Sequence, residues 1–152
     1  MSAPCGWLLS LGSNLEDANR LHAALDLLAT LGPCAVLTAI RTFPARHSAG
    51  RYFGTLASLA WRGGRDTLDA TLKQLETRLG RQRDNPAGEV AIDIDILAMR
   101  DGDRWLADAH ALDKGEFGHA DVRTMLQEAG LAIDTPDTDV RCAAADRRPP
   151  AG

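Results

Sequence analysis

Two periods of apolar residues run along the chain and predict its strands and helices. Short runs of apolar or β-branched residues are typical of strands, whereas apolar residues three and four positions apart are typical of helices. The predicted strands are residues 6–11, 34–42, 52–61 and 90–99, with a short return strand at 104–106. The predicted helices lie within residues 21–31, 68–79 and 120–129.

Polar residues between these segments predict where helices begin and where the chain is irregular. Asparagine and aspartate side chains accept hydrogen bonds from the first amides of a helix, so they are preferred N-terminal caps. The candidate caps are Asn14 or Asp17 for the first helix and Asp66 for the second. Residues 43–51 and 81–88 are rich in charge, glycine and proline, and both segments are predicted to be loops.

The order of these elements predicts the fold class. A βαββαβ order followed by a short hairpin and a helix favours an α+β, ferredoxin-like sandwich, with helices on one face of an antiparallel sheet. Residues 1–133 are predicted to form a single domain. Residues 134–152 have little apolar surface to bury, so this tail is predicted to be disordered.

Composition narrows the class of protein without identifying it. The chain has 152 residues, 45% of them hydrophobic, and a net charge of −4, which favours neither nucleic acid nor an anionic membrane as a partner. Its three cysteines lack metal-ligand spacing and favour free thiols in a reducing compartment. No apolar stretch approaches the roughly 20 residues of a membrane span. We therefore expect a cytoplasmic protein, with a monomer as the simplest state.

The last long strand carries the sharpest chemical signal in the sequence. Asp93 and Asp95 interrupt an otherwise apolar run. Residues two apart in a strand point to the same face. We therefore expect Ile92, Ile94 and Ile96 to face the core, and the two carboxylates to project together on the other side.

Two carboxylates held this close repel each other unless a cation lies between them, and Mg²⁺ prefers oxygen ligands of this kind. Arg81 and Arg83 lie just upstream and could bind phosphate groups that the metal also holds. The alternative is a solvated acidic strand face beside a solvated basic loop. Walker, nucleophile-elbow, zinc-protease, dinucleotide-binding and C-x-x-C motifs are all missing from the sequence.

Three segments in the right order resemble the 6-hydroxymethyl-7,8-dihydropterin pyrophosphokinase family. LSLGSNLEDANRLHAALDLL is similar to the opening strand, LGSN turn and helix of the family. LETRLGRQRDNPAGEVAIDIDIL is similar to its LGR-x-R and DLDIL segment, and RTFP followed by RYF resembles its T-x-P loop and FLN strand. The resemblance covers about residues 6–99.

The resemblance implies an activity, cofactors and site residues. Members of this family transfer the terminal diphosphate of ATP to the hydroxymethyl group of a reduced pterin, releasing AMP, in folate biosynthesis. It implies two Mg²⁺ ions held by Asp93 and Asp95, with ATP as co-substrate and a small pterin-like acceptor. The ATP-binding residues that it implies are Glu76, Arg81, Arg83 and His110, of which Arg81 and Arg83 are also catalytic. The acceptor-binding residues that it implies are Thr42, Tyr52, Phe53 and Phe117.

The sequence departs from the family pattern where the acceptor is bound. Gly54 stands in place of the family asparagine that reads the pterin, and Val90 in place of an arginine. Three hypotheses therefore remain open from the sequence. The chain is an active pterin pyrophosphokinase, or a paralogue that binds Mg-nucleotide but uses another acceptor, or a non-catalytic binding protein on the same scaffold.

Overall fold

A computed structural model describes residues 5–46, 50–84 and 88–136 of the chain. The strands in these ranges are β1 (Cys5–Ser13), β2 (Cys34–Val36), β3 (Arg41–Pro44), β4 (Arg51–Trp61), β5 (Asp93–Asp101), β6 (Arg104–Ala107) and β7 (Ile133–Asp134). The helices are α1 (Asn19–Leu31), α2 (Arg65–Arg78), α3 (Ala109–Lys114) and α4 (Ala120–Ala129), with a 3₁₀ turn at Glu116–Gly118. The helices in these ranges are too short or too polar to cross a bilayer.

The described strands form one sheet in the order β2-β4-β1-β5-β6-β7, with β3 also paired to β4. β1 lies near the centre and pairs antiparallel with both β4 and β5. This arrangement confirms the predicted α+β, ferredoxin-like fold. One pair differs from the expected antiparallel pattern, because β7 runs parallel to β6.

Helices cover both faces of the sheet, so the expectation that they lie on one face is wrong. Residues of β1 at odd positions, such as Leu9, are buried with α1 and α2, whereas Leu8 is buried with α3 and α4. The difference arises because the chain returns after β6 and lays residues 109–129 across the second face. Each fully buried leucine contributes roughly 1.5–3 kcal/mol to folding.

The predicted strand at residues 34–42 is two short strands, because a side chain interrupts the ladder. Thr38 Oγ1 accepts a hydrogen bond from Leu56 N at 3.1 Å, and Thr55 Oγ1 donates to Thr38 O at 2.9 Å. β2 and β3 each pair with β4, and in the segment between them these side-chain bonds take the place of regular pairing with β4. The predicted loop at 43–51 also begins later than expected, since Phe43 is a buried residue of β3.

The predicted helix caps differ from the observed cap positions at two helix starts. Ala18 stands at the cap position of α1 and provides no side-chain cap, but the predicted Asp17 accepts from Asn19 N, the first amide of α1, at 3.0 Å. α2 begins after Gly64, whose φ of 84° lies in the left-handed region that favours glycine. Asp66 is therefore inside the first turn of α2, where its charge is favourable to the helix dipole.

The last strand of the described residues crosses the predicted domain boundary. β7 spans Ile133–Asp134 and so crosses the boundary placed at residue 134. Residues 137–152, which include Cys142 and most of the predicted tail, lie outside the described residues. Cys5 and Cys34 are free thiols.

Candidate active site

β5 places two carboxylates on one face of the sheet. Asp93 lies opposite Gly12 of β1, and Asp95 lies opposite Ser10. The neighbouring isoleucines are buried on the α1–α2 side, and Ile94 is 5% exposed. The predicted alternation along this strand is therefore confirmed.

The two carboxylates face a cavity of about 260 Å³. Residues from β1, β3–β4, β5, α4 and the segment before β5 surround this cavity. Its lining residues are Ser10, Leu11, Gly12, Ser13, Asn14, Ala45, Arg46, Tyr52, Gly88, Val90, Asp93, Asp95, Asp121 and Met125. Because carboxylate, hydroxyl and apolar groups converge in one concave space, the cavity has the character of a small-molecule site.

The paired carboxylates perturb each other. Burial and the negative charge of Asp93 raise the pKa of Asp95 to about 7. Burial also acts to raise the pKa of Asp93, but hydrogen bonds with Asp95 and Arg81 outweigh it, so the Asp93 pKa is lowered. A cation placed between the two groups would relieve this repulsion.

A lysine that the sequence prediction did not identify lies beside this pair. Lys114 Nζ is 3.2 Å from Asp95 Oδ1 and 3.3 Å from Glu116 Oε2. Glu116 is only 4% exposed. The ammonium group thus partly neutralises the acidic wall. Lys114 ends α3, a helix that no apolar period in the sequence predicts, so its position had no local signal.

One of the two predicted ATP-binding arginines contacts the carboxylate pair, and the other pairs with Glu76. Arg81 Nη1 donates to Asp93 Oδ1 and to Ile92 O, both at 3.0 Å. Arg83 forms an ion pair with Glu76. Glu76 is only 2% exposed and accepts from Ile94 N at 2.7 Å. Burial raises the pKa of Glu76, and its contacts fasten α2 to β5.

Most of the remaining predicted site residues do not line the cavity that Asp93 and Asp95 face. Tyr52 lines the cavity, but Phe53 is its strand neighbour and packs in the core on the opposite side. Thr42 and His110 are exposed and do not line the cavity. Phe117 is part-buried against the core beneath α4. Of the predicted acceptor-binding residues, the structure places Tyr52 alone at this cavity.

An ion pair between a buried aspartate and a part-buried arginine forms the wall of the cavity nearest α4, and the sequence prediction missed it. Asp121 is 7% exposed and accepts from Arg46 Nε at 3.2 Å and from Arg46 Nη2 at 2.8 Å. The Tyr52 hydroxyl is buried beside them and has no hydrogen-bond partner with normal geometry among the described residues. In sequence these residues are a loop arginine, a strand tyrosine and a first-turn acid, and nothing local joins them.

Asn14 holds the segment before β5 against the end of β1. Its side-chain amide donates to Gly88 O at 2.9 Å and accepts from Val90 N at 2.6 Å. Its own backbone N–H donates to Val90 O at 3.0 Å. Asn14 therefore shapes one rim of the cavity, and the prediction that it caps α1 is wrong.

Gly54 marks the clearest departure from the family pattern. A Cβ atom at this position would lie 3.2 Å from Phe43 Cε2 and 3.5 Å from Met125 Sδ. Apolar side chains thus already fill the space that a larger residue of β4 would need. No polar side chain can be supplied from this position.

The chemistry of the donors fits magnesium bound together with a phosphorylated ligand. The described residues contain no group of three or more histidine, cysteine, aspartate or glutamate side chains that could hold a metal alone. Mg²⁺ is commonly held by one or two carboxylates, with substrate phosphates and water completing its shell. Asp93 and Asp95 meet that requirement, and the pKa of Asp95 is raised by burial and by the charge of Asp93.

The fold and the site define an α+β protein with a paired-carboxylate cavity suited to a Mg-phosphate ligand. The family model for 7,8-dihydro-6-hydroxymethylpterin-pyrophosphokinase (HPPK) matches residues 8–138. Because the match spans most of the chain, the protein belongs to this family. No curated protein matches the chain.

Proposed function

We propose that this protein transfers the terminal diphosphate of ATP to the hydroxymethyl group of 6-hydroxymethyl-7,8-dihydropterin, releasing AMP. The observation that carries the proposal is the pair Asp93 and Asp95, which faces a cavity of about 260 Å³ in a chain of the pyrophosphokinase family. In the reaction, the acceptor oxygen bonds to the β-phosphorus while the bridge to the α-phosphate breaks.

Asp93 and Asp95 would hold two Mg²⁺ ions together with the phosphate oxygens of ATP. When bound, these ions neutralise the triphosphate and orient its β-phosphorus toward the acceptor hydroxyl. Ser10 and Gly12 lie opposite the pair on β1 and leave the cavity open beside it. The carboxylates sit on β5, whose pairing with β1 includes both residues and fixes their positions.

Three cations near the pair would bind and orient the triphosphate. Lys114, whose Nζ lies 3.2 Å from Asp95 Oδ1, would donate to a phosphate oxygen of the bound nucleotide. Arg81 and Arg83 would offset the charge of the departing AMP. Glu76 would act on them indirectly, because it pairs with Arg83 and lies 3.9 Å from Arg81 Nη1.

The test compares Asp95→Asn with Asp101→Asn, which makes the same change at the exposed end of the same strand. Asp95→Asn is expected to lower the rate of AMP release by roughly 10²–10³-fold. It should also weaken Mg²⁺-dependent ATP binding in calorimetry. Asp101→Asn should change neither quantity. Unchanged MgATP affinity in Asp95→Asn would refute the metal assignment.

One observation favours a second candidate, a diphosphate transfer to a different acceptor. Phe43 and Met125 fill the space beside Gly54, so the wall here is apolar. A protein that binds MgATP but releases AMP only with another hydroxymethyl heterocycle would support this candidate. Assays with a small panel of such rings distinguish the two.

A further inference from the structure

We propose that Asp121 reads the N–H edge of the acceptor ring, with the Tyr52 hydroxyl as a second hydrogen-bonding group and Arg46 as the residue that positions Asp121. The inference rests on the proposed function, since it places the acceptor in the cavity beside Asp93 and Asp95. It assigns a specificity-determining role to a residue of α4.

Asp121 is buried, yet its carboxylate borders the cavity. It is 7% exposed and lines the same space as the metal-binding pair. Arg46 contacts each carboxylate oxygen once, at 3.2 and 2.8 Å. An ionised carboxylate offers about four acceptor sites. The fork from Arg46 therefore fixes the orientation of Asp121 and leaves acceptor capacity for a ligand.

Tyr52 supplies an independent sign that a polar ligand completes this wall. Its side chain lines the cavity, and its hydroxyl is buried beside Asp121 and Arg46 without a hydrogen bond of normal geometry among the described residues. A buried polar group left unsatisfied costs roughly 1–3 kcal/mol. A ligand that hydrogen-bonds to the hydroxyl would recover that free energy, whereas an apolar ligand would not.

The surrounding groups restrict which part of the ligand meets Asp121. Met125 lies one helical turn further along α4 and also lines the cavity, and Gly54 contributes no side chain. The polar contacts on this side of the cavity therefore come from Asp121, Tyr52 and Arg46. Because Arg46 already occupies one acceptor site on each oxygen, a remaining site of Asp121 accepts a single N–H donor, as the exocyclic amino group of such a ring provides.

This chemistry selects a 2-amino-4-oxo ring over its 2-oxo counterpart. In the 2-oxo ring a carbonyl oxygen replaces the amino group and would face the carboxylate oxygens of Asp121. Two acceptors that face each other without a proton are unfavourable, so the same residue both attracts the amino ring and rejects the oxo ring. Sites built to hydrogen-bond a polar group discriminate strongly against analogues that lack it.

A purely structural role for Asp121 makes a different prediction. Asp121 stands in the first turn of α4, where a negative charge stabilises the helix, and its ion pair holds the chain at Arg46. In that case substitution would lower stability but leave the ratio of affinities for the two rings unchanged. The ratio is therefore the quantity to measure.

The experiment measures binding of 6-hydroxymethylpterin and 6-hydroxymethyllumazine by calorimetry, with Mg²⁺ and a non-hydrolysable ATP analogue present. The wild type is expected to prefer the amino ring by at least about tenfold. Asp121→Asn should weaken amino-ring binding by about tenfold and reduce or reverse the preference, with affinity for the nucleotide unchanged. Glu128→Gln is the matched control, since it removes an exposed carboxylate from the same helix.

Two further variants keep the inference testable if Asp121→Asn folds poorly. Tyr52→Phe keeps the ring and removes only the hydroxyl, and it should weaken amino-ring binding by about threefold to tenfold. Arg46→Met should reduce the preference between the rings without changing nucleotide affinity. If Tyr52→Phe and Arg46→Met leave both affinities unchanged, the inference is overturned.

The outcomes separate this inference from the function on which it rests. A wild type that binds the nucleotide but neither ring overturns the proposed acceptor, and this inference with it. A wild type that binds the amino ring, with the same affinity and preference in Asp121→Asn, overturns the role of Asp121 alone. Loss of preference in Asp121→Asn supports both.

Discussion

The two faces of the sheet differ in what they bury. On the α1–α2 face, Leu9, Leu21 and Leu72 are at most 1% exposed and pack against other apolar residues. On the cavity face, Asp121 and Glu116 are also buried. Two of the three buried polar side-chain atoms that lack a hydrogen bond in the described residues, on Tyr52 and Glu116, belong to that second face. Both faces thus bury an apolar cluster, and the cavity face combines its cluster with buried carboxylates.

This difference has a physical reason. A well-packed apolar layer stabilises the fold without any ligand, whereas buried charges cost free energy unless their partners are complete. Lys114 and Arg46 provide partial compensation on the cavity face. The remaining unsatisfied groups are typical of a site that a ligand completes.

Leu72→Ala is expected to have the largest effect on stability. The substitution leaves a cavity in the apolar layer and should lower the free energy of unfolding by about 2–5 kcal/mol. Lys73→Ala changes the adjacent residue, whose side chain is 60% exposed, and is the matched control. Urea unfolding measures both. Ligand affinity of the folded Leu72→Ala protein should be unchanged, and a large loss of affinity would break the division between the faces.

The ion pair between Arg65 and Asp108 joins the start of α2 to the cap of α3, and it predicts a pH dependence. Arg65 Nε lies 2.6 Å from Asp108 Oδ1, and Asp108 also caps α3 by accepting from Ala111 N. Burial acts to raise the pKa of Asp108, but the hydrogen bond and charge of Arg65 outweigh it and lower the pKa. The pair therefore stabilises the fold fully above the unfolded pKa of about 3.9, and this contribution is lost as pH falls through the lower folded value.

Asp108→Asn should cost about 1–3 kcal/mol near pH 7. The stability difference from the wild type should shrink as pH falls below about 4, because protonation then removes the same charge from the wild type. Urea unfolding of both proteins at about ten pH values between pH 2.5 and pH 7 would measure this stability difference. A difference that stays constant over this range would contradict the assignment.

Of the three substitutions, Asp95→Asn is expected to change stability least, and it should stabilise the protein where Leu72→Ala and Asp108→Asn destabilise it. It removes one of two facing carboxylates, so the metal-free protein should gain on the order of 1 kcal/mol at pH 8. Asp101→Asn, at the exposed end of the strand, should change stability by less than about 0.5 kcal/mol. Thermal unfolding without Mg²⁺ is the measurement. A destabilised Asp95→Asn protein would mean that Lys114 more than compensates the repulsion.

The sequence was sufficient for features that depend on local periodicity. The alternation around Ile94 placed Asp93 and Asp95 on one face, and the period of α4 gave its limits as Ala120–Ala129. Both follow from where consecutive side chains point, which is fixed by strand and helix geometry. These features needed no knowledge of distant contacts.

The features that the sequence did not predict depend on contacts between distant segments. Lys114 reaches Asp95 from a six-residue helix without an apolar period, and Arg46 meets Asp121 across 75 positions. Helices cover the second face because the chain returns after β6, and strand order alone does not specify that return. Asp108, three residues before Ala111, is the one local signal for α3 that capping rules could have identified.

The most direct test of the account is the stoichiometry of the wild-type reaction. The protein would be incubated with MgATP and 6-hydroxymethyl-7,8-dihydropterin, and AMP, ADP and pterin diphosphate would be quantified by mass spectrometry. Equal amounts of AMP and pterin diphosphate, with no ADP, are expected. MgATP binding without AMP release would contradict the proposed transfer, even with the fold and the carboxylate pair intact.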